Sequence, residues 1–291
     1  MFRAQIMLGM ALAALAAGAD FSGESAFGFT QRAVGFGPRP SGSEAIKQLQ
    51  AYILEQLKTC RCQVTEDNFM ARTPKGQIAM KNIIAKFPGK AGANGVIRAI
   101  AVTGHYDTKP FPGRKFVGAS DGGSSTGLLL ELARALTGEA RTDDVYVVFF
   151  DGEEATGDWT DTDKLYGSRH LAVKWMSDGT LTRLKALINV DMIGDKQLNI
   201  KQEQNSNTRV KQLVWRAAAD LGFQANFVQD TINIDDDHMP FVELGAPAID
   251  LIDFDYAPWH EDSDTLDKLS AQSLHIVGRV VQESVHRLER Q

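Results

Sequence analysis

Cysteine is scarce in this 291-residue sequence, which contains only Cys60 and Cys62. One residue separates them, a spacing at which a disulfide between the two would be strained. No C-x-x-C pair and no second cysteine cluster occurs, so the sequence argues against a zinc site built from cysteine. Any metal ion would therefore have to be held by histidine and carboxylate side chains.

A run of basic residues is also absent, and the net charge is -6. Because clustered lysine and arginine neutralise phosphate groups, this charge argues against a nucleic-acid partner. The G-x-S-x-G motif of serine hydrolases does not occur, and Ser124 and Ser125 precede an expected helix, where they favour a capping role. No internal repeat or low-complexity linker divides the chain, so a single domain is expected.

The N-terminus has the pattern of an export signal. Arg3 precedes an apolar, alanine-rich run that ends in Ala17-Gly18-Ala19, which fits a small-x-small cleavage site. The run is too short and too rich in alanine for a transmembrane helix. We therefore expect a signal peptide over residues 1–19 and one domain over 20–291, exported to the periplasm or secreted as a monomer. No cysteine follows the site, so no membrane anchor is expected after cleavage.

Alternating strand and helix patterns predict the fold class. Helical periodicity covers 44–58, 126–136, 166–176, 210–221 and 271–288. Strand-like runs cover 63–71, 80–87, 96–102, 145–150, 187–190 and 247–252. This alternation predicts an α/β three-layer sandwich with a central mixed, largely parallel sheet flanked by helices. The first strands are expected to form an antiparallel edge.

Acidic and histidine-containing clusters stand where the expected strands end. They read GHYDT (104–108), GASDGGSS (118–125), DGEEA (151–155), NVDMIGD (189–195), DDDHMPF (235–241) and PWHEDSD (258–264). Because ligand sites form outside the carboxyl ends of parallel strands, these clusters are expected to converge in one cleft. A cation there would offset the mutual repulsion of the acids in DGEE.

The residue types in this cleft suit zinc, which accepts imidazole nitrogen and carboxylate oxygen. The candidate ligands are Asp121, Glu154 and His260, with His105 and Asp191 as a possible second set. Adjacent glutamates cannot occupy one coordination position, so one of the pair in DGEE can bind metal while its neighbour points toward substrate.

The order of the motifs HYD, GASD, DGEE, LYGSRHLA, VDMIG, DHMPF and a late WH resembles the zinc-dependent aminopeptidase-like superfamily. Within it, the sequence is most similar to the animal-type glutaminyl-peptide cyclotransferases, from about Arg39 to the C-terminal helix. The most specific stretches are DWTDTDKLYGSRHLA (158–172), DDHMPF (236–241) and PWH (258–260). The motifs GHYDT and DGEEA are shared with the aminopeptidases and do not discriminate.

The resemblance implies an enzyme that converts the N-terminal glutamine of peptides or proteins to pyroglutamate with release of ammonia. It also implies one zinc ion per chain and a role for each matched residue: Asp121, Glu154 and His260 as ligands, Glu153 as general acid/base, Asp191 and Asp236 as acids hydrogen-bonded near it, and Trp159 and Trp259 as walls of the substrate pocket. Two positions depart from the pattern. Asp235 stands where the animal enzymes commonly have glutamine, which changes the expected substrate contacts. Asp250 stands where they have histidine, which alters the buried polar network.

Two other functions stay open. A two-zinc exported aminopeptidase would need five ligands, and all are present in type: His105, Asp121, Glu154, Asp191 and His260. In that enzyme Glu153 would activate water instead of an amine. A catalytically inactive exported binding protein is the other alternative, and a metal assay would test it. His238 is expected to orient its acidic neighbours, and His170, His275 and His286 are expected to be structural or solvated.

Overall fold

The structure, a computed structural model, describes residues 19–91 and 95–291. The expected signal peptide lies outside the described residues except for Ala19. The elements follow in the order α1 (Gly23–Val34), α2 (Glu44–Leu57), β1 (Gln63–Thr73), β2 (Gly76–Phe87), β3 (Ala99–His105), α3 (Gly123–Ala135), β4 (Asp144–Phe150), α4 (Tyr166–Ser177), α5 (Thr180–Arg183), β5 (Leu184–Asp191), β6 (Ile200–Glu203), α6 (Thr208–Asp220), β7 (Phe227–Ile232), α7 (Met239–Glu243), β8 (Ala248–Ile252) and α8 (Ala271–Glu289).

A six-stranded sheet in the order β1-β2-β4-β3-β5-β8 forms the centre of the fold. Strands β4, β3, β5 and β8 are mutually parallel, whereas β1 pairs with β2 and β2 with β4 in antiparallel fashion. The predicted fold class is therefore confirmed, including the antiparallel edge. A separate two-stranded parallel sheet, β6 with β7, lies beside β8.

Strand β4 shows why the central strands are apolar throughout. Its residues Val145, Val147 and Phe149 pack with α1, α2, α3, α6 and α8 on one face of the sheet. The intervening Tyr146, Val148 and Phe150 pack with α4, α5 and α7 on the other face. Because helices cover both faces of the sheet, both sets of side chains are buried. Each buried apolar side chain contributes roughly 1.5–3 kcal/mol of hydrophobic stabilisation.

Two boundaries differ from the sequence prediction in a way that matters for the cleft. Strand β3 was expected over 96–102 but covers Ala99–His105, because its parallel neighbours pair with it only from Ala99 onward. This shift places His105 on the last residue of the strand. Helix α3 was expected from Thr126 but begins at Gly123, because Gly122 has a φ of 77° and turns the chain directly after Asp121.

Helix α1 and strands β6 and β7 were not predicted. The buried face of α1 consists of Gly23, Ala26, Thr30 and Ala33, which lie at helical spacing but are small or polar. Strand β6 has the polar sequence IKQE. Within the two described ranges, no helix is both long and apolar enough to cross a membrane.

Candidate active site

A cavity of about 440 Å³ opens at the carboxyl ends of the parallel strands. The structure brings all eight predicted site residues to its lining: Asp121, Glu153, Glu154, Trp159, Asp191, Asp236, Trp259 and His260. They come from separate stretches of the chain that the sheet places at one edge, as the strand-end clusters predicted.

Three of these residues, here called the outer set, are Asp121, Glu154 and His260. Their donor atoms lie within 4.8 Å of one another, and His260 Nε2 is 3.2 Å from Glu154 Oε1 and 3.5 Å from Asp121 Oδ2. Asp121 Oδ2 and Glu154 Oε2 are buried, and neither has a hydrogen-bond partner among the described residues. Two carboxylates, each with one unpartnered oxygen, and one imidazole form a donor set that fits a catalytic zinc ion.

The backbone next to Asp121 is held by a distant carboxylate. Asp264 accepts hydrogen bonds from the backbone N–H groups of Ser120 at 2.9 Å and of Asp121 at 3.2 Å. The left-handed Gly122 then begins α3. Asp121 is thus fixed at the junction between the strand-end loop and the helix, with its side chain directed at the cavity.

The acids of DGEE separate from one another. Asp151 turns away from the cavity and accepts a hydrogen bond from the Ser41 hydroxyl at 2.6 Å. Asp107 accepts from the backbone N–H groups of Glu153 at 3.2 Å and Glu154 at 3.3 Å. This contact fixes the turn after β4 with both glutamates lining the cavity.

His260 is held in an unusual backbone conformation, with a φ of 56°, where a non-glycine residue is strained. Its ring stacks on Trp259 at 4.1 Å between centroids and meets the edges of Phe111 and Phe116. Its carbonyl oxygen accepts from the Arg114 guanidinium at 3.0 Å. Burial lowers the pKa of His260, which favours the neutral imidazole that a metal ligand needs.

A second group, here called the inner set, consists of His105, Asp121 and Asp191. His105 Nε2 lies 3.0 Å from Asp191 Oδ1 and 3.2 Å from Asp121 Oδ1. Asp191 Oδ1 also accepts from the backbone N–H of Met192 at 2.8 Å. Asp121 therefore belongs to both sets, but in the inner set the facing atoms of His105 and Asp191 already contact each other.

Glu153 lines the same cavity but belongs to neither set. Its Oε2 is 3.9 Å from His105 Nδ1. Burial raises the pKa of Glu153 well above its ordinary value; the His105 ring opposes this rise. The charges of Glu154, Asp236 and Asp237 raise it further. Burial is therefore the larger cause of the raised pKa, and repulsion from the neighbouring acids is the smaller one.

Behind Glu153 lies a cluster of buried acids, only part of which was predicted. Burial, together with the charge of Asp191, raises the pKa of Asp236 to about 6. Burial and the charge of Asp236 raise the pKa of Asp237 well above its ordinary value. Asp250, also buried, accepts from the Asn189 amide at 3.1 Å. The concentration of carboxylates makes this end of the cavity suited to a cation.

His238 was expected to orient the acids of DDDH, but its polar contact in the structure is elsewhere. Its Nε2 lies 3.2 Å from Glu203 Oε2, and both side chains are completely buried. The supporting residues Asp107, Asp264 and Arg114 were not identified from the sequence. Asp107 stands in the GHYDT motif, two residues after His105. Its position so close to a candidate ligand could have identified it as a supporting residue.

Trp159 and Trp259 form the rim of the cavity and are 39% and 41% exposed. Trp259 tilts against Phe254 at 4.7 Å between ring centroids. The indole N–H of Trp159 donates to Asp235 Oδ2 at 3.4 Å. Both indoles thus line the cavity together with its acidic residues.

Comparison with known proteins gives matches along most of the chain. The family model described as peptidase family M28 matches residues 82–285. A crystal structure of an Acidobacteriales bacterium glutaminyl cyclase is 36% identical, with a TM-score of 0.89 over 99% of both chains. The Drosophila melanogaster glutaminyl-peptide cyclotransferase is 27% identical over 84% of this chain and 76% of its own length. A Zn-dependent exopeptidase from Parabacteroides distasonis is 25% identical, with a TM-score of 0.82 over 94% of this chain and 99% of its own.

Proposed function

The chain belongs to peptidase family M28 and, within it, to the glutaminyl cyclases, and on this premise we propose that it converts the N-terminal glutamine of peptides or proteins to pyroglutamate with release of ammonia. The observation that carries the proposal is the position of Glu153. It adjoins the ligand Glu154 in sequence, yet its own carboxylate is outside both ligand sets and lines the cavity.

The reaction joins the α-amino nitrogen of glutamine to its own side-chain carbonyl carbon, which forms a five-membered lactam and breaks the bond to the amide nitrogen. Glu153 accepts the proton of the attacking amine and delivers it to the departing ammonia. Such a transfer typically contributes about 10²- to 10⁴-fold in rate. A raised pKa suits a group that must both accept and release a proton near neutral pH. Zinc held by the outer set would act as a Lewis acid on the side-chain carbonyl.

The walls of the cavity supply the remaining requirement, which is to fold a flexible side chain back onto its own amine. Trp159 and Trp259 restrict the space above the outer set, and restriction of this kind lowers the entropic cost of ring closure. Asp191 and Asp236 line the same cavity and would attract the positively charged amino terminus of the substrate.

We propose one zinc ion per chain, in the outer set. The support is that Asp121 Oδ2 and Glu154 Oε2 of the outer set have no hydrogen-bond partner among the described residues, whereas Asp191 Oδ1 of the inner set contacts His105 and also accepts from the Met192 backbone N–H. The inner set nevertheless keeps the two-zinc exported aminopeptidase as the second candidate, because its donor atoms also lie within 4.8 Å.

Export to the periplasm or outside the cell is likewise a proposal, supported by the charged and apolar pattern of residues 1–19. So are the monomeric state and the absence of a membrane anchor after cleavage. Size-exclusion chromatography and N-terminal sequencing of the exported protein would test these points.

A peptide set that differs only in its first residue tests the function. Peptides beginning with glutamine should lose ammonia, as seen by mass spectrometry, whereas matched peptides beginning with leucine or alanine should stay intact. Metal analysis of the same preparation should find about one zinc per chain, the number of one catalytic site. Two tightly bound zinc ions with stepwise loss of N-terminal residues would establish the aminopeptidase instead.

A further inference from the structure

Lys164 stands behind the wall of the cavity, and its side chain is only 8% exposed. Its ammonium group forms an ion pair with Asp235 and lies 3.4 Å from Asp161 Oδ1. It also lies 5.7 Å from the centroid of the Trp159 ring. Asp235 in turn accepts the indole N–H of Trp159. One lysine therefore contacts two cavity-lining residues that belong to different segments of the chain.

The backbone of the loop that carries Trp159 is fastened on both sides of this residue. Asp163 accepts hydrogen bonds from the Gly157 backbone N–H at 2.8 Å and from the Tyr166 hydroxyl at 2.7 Å, and its own backbone N–H donates to the Thr160 carbonyl at 3.1 Å. The Trp159 side chain itself is partly exposed. Its indole N–H bonds to Asp235, so the placement of the ring depends on where that carboxylate is held.

The charge of Asp235 also needs a counterion. The cavity is already lined by the carboxylates of Glu153, Asp191 and Asp236, and a further free carboxylate would be repelled by them. The ammonium of Lys164 offsets this charge from the side away from the cavity. Lys164 is largely buried, whereas the Asp235 side chain is 44% exposed, so solvent screens the pair less than it screens an ion pair with both partners exposed.

We propose that Lys164 is a positioning residue, which fixes Asp235 and Trp159 as one rigid wall that receives the N-terminal glutamine; the kinetic part of this inference rests on the proposed function. Lys164 touches neither the outer set nor Glu153. Loss of the Lys164 side chain should therefore weaken substrate binding and leave the chemical step nearly unchanged. In kinetic terms, KM should rise while kcat stays nearly the same.

Kinetics with a glutamine-initiated peptide test the wall directly. Lys164→Met should raise KM by about tenfold, the size expected from one hydrogen bond to a charged group, with kcat within about twofold. Lys164→Arg should retain most of the binding. Asp161→Asn is the matched control, because Asp161 contacts the same ammonium from an exposed position, and it should leave KM within about twofold.

Removing both charges distinguishes positioning from general packing. If Lys164 acts through Asp235, Lys164→Met should change KM by no more than about twofold when it is added to Asp235→Gln. If the two substitutions are simply additive, the residues are not coupled and the inference is wrong.

Fluorine NMR tests the wall without relying on activity. The chain has four tryptophans, so 5-fluorotryptophan labelling gives four signals, and Trp159→Phe assigns the relevant one. Lys164→Met should shift or broaden the Trp159 signal, while the signals of Trp175 and Trp215 stay in place and report an intact fold. An unchanged Trp159 signal would overturn the inference. Failure of glutamine cyclisation in the original protein would instead contradict the proposed function and leave this spectral result intact.

Discussion

Two buried glutamates end with opposite pKa shifts, although burial raises the pKa of both. Burial raises the pKa of Glu203, but hydrogen bonds from His238, the Asn205 backbone and the Ser206 hydroxyl lower it, to about 2 overall. Burial raises the pKa of Glu154 to about 7, although the ammonium of Lys109, 3.6 Å away, opposes the rise.

The difference teaches that burial alone does not mark a functional carboxylate. Both oxygens of Glu203 accept hydrogen bonds, so its charge is satisfied by the protein. One oxygen of Glu154 is buried without a hydrogen-bond partner among the described residues, a costly arrangement for a charged group. The Lys109 ammonium faces this oxygen at 3.6 Å, beyond hydrogen-bond distance, and a metal ion would supply the missing partner.

The largest effect is expected from breaking the outer set. His260→Ala or Glu154→Ala should reduce bound zinc to background after dialysis and abolish turnover, because each variant removes one of three ligands. His105→Ala is the matched control for the inner set and should retain about one zinc per chain. Metal analysis of the three variants decides between the sets. Zinc retained in both outer-set variants would show that the metal is held elsewhere.

A smaller but still large effect is expected from Glu153→Gln. The substitution keeps the shape of the side chain but prevents proton transfer, so kcat should fall by about 10²- to 10⁴-fold. Zinc content and thermal stability should remain near those of the original protein. Near-normal kcat would remove Glu153 from the mechanism, and loss of zinc would mean that the roles of Glu153 and Glu154 are exchanged.

The smallest effect concerns Glu203, the satisfied member of the comparison. Its folded-state pKa of about 2 lies below the ordinary value of 4.5, so its pairing stabilises the fold above the higher value and is lost as the pH falls toward the lower. Glu203→Gln should therefore lower the free energy of unfolding at neutral pH. This deficit should shrink as the pH falls from 4.5 to about 2.

Urea unfolding at a series of pH values measures this difference. The exposed Glu243→Gln serves as the matched control and should alter the free energy of unfolding by no more than about 0.5 kcal/mol. A Glu203→Gln deficit that stays constant down to the lowest pH would show that packing, and not the ionised carboxylate, is what the substitution removes.

The sheet could be predicted where burial on both faces leaves an uninterrupted apolar run. Val145–Phe150 is such a run, and the observed β4 begins only one residue earlier. The run 96–102 was misplaced because local preference cannot reveal where neighbouring strands begin; Val96 is exposed, and pairing starts at Ala99. Helix α1 escaped prediction because it buries small and polar residues instead of a hydrophobic stripe.

The cavity-lining residues could be predicted because each stands in one of the polar motifs that carry the family resemblance. The contacts that hold two of them could not be predicted, because each joins residues far apart in the sequence. Asp264 holds the backbone of Asp121 from 143 residues away, and Arg114 bonds the carbonyl of His260 from 146 residues away. Nothing local in the sequence links these pairs, and only the folded sheet brings them together.

The loop from Tyr256 to Asp264 carries the ligand His260 and also holds the ligand Asp121. The Tyr256 hydroxyl donates to Asp264 at 2.6 Å, and Asp264 in turn accepts a hydrogen bond from the backbone N–H of Asp121. Two of the three outer-set ligands thus depend on one short loop. Its left-handed residue, His260, costs roughly 1–2 kcal/mol of backbone strain. Ordering of this loop and binding of the ion are consequently coupled. Amide hydrogen exchange in residues 256–264 would therefore slow when zinc is added, and its rate would report metal occupancy.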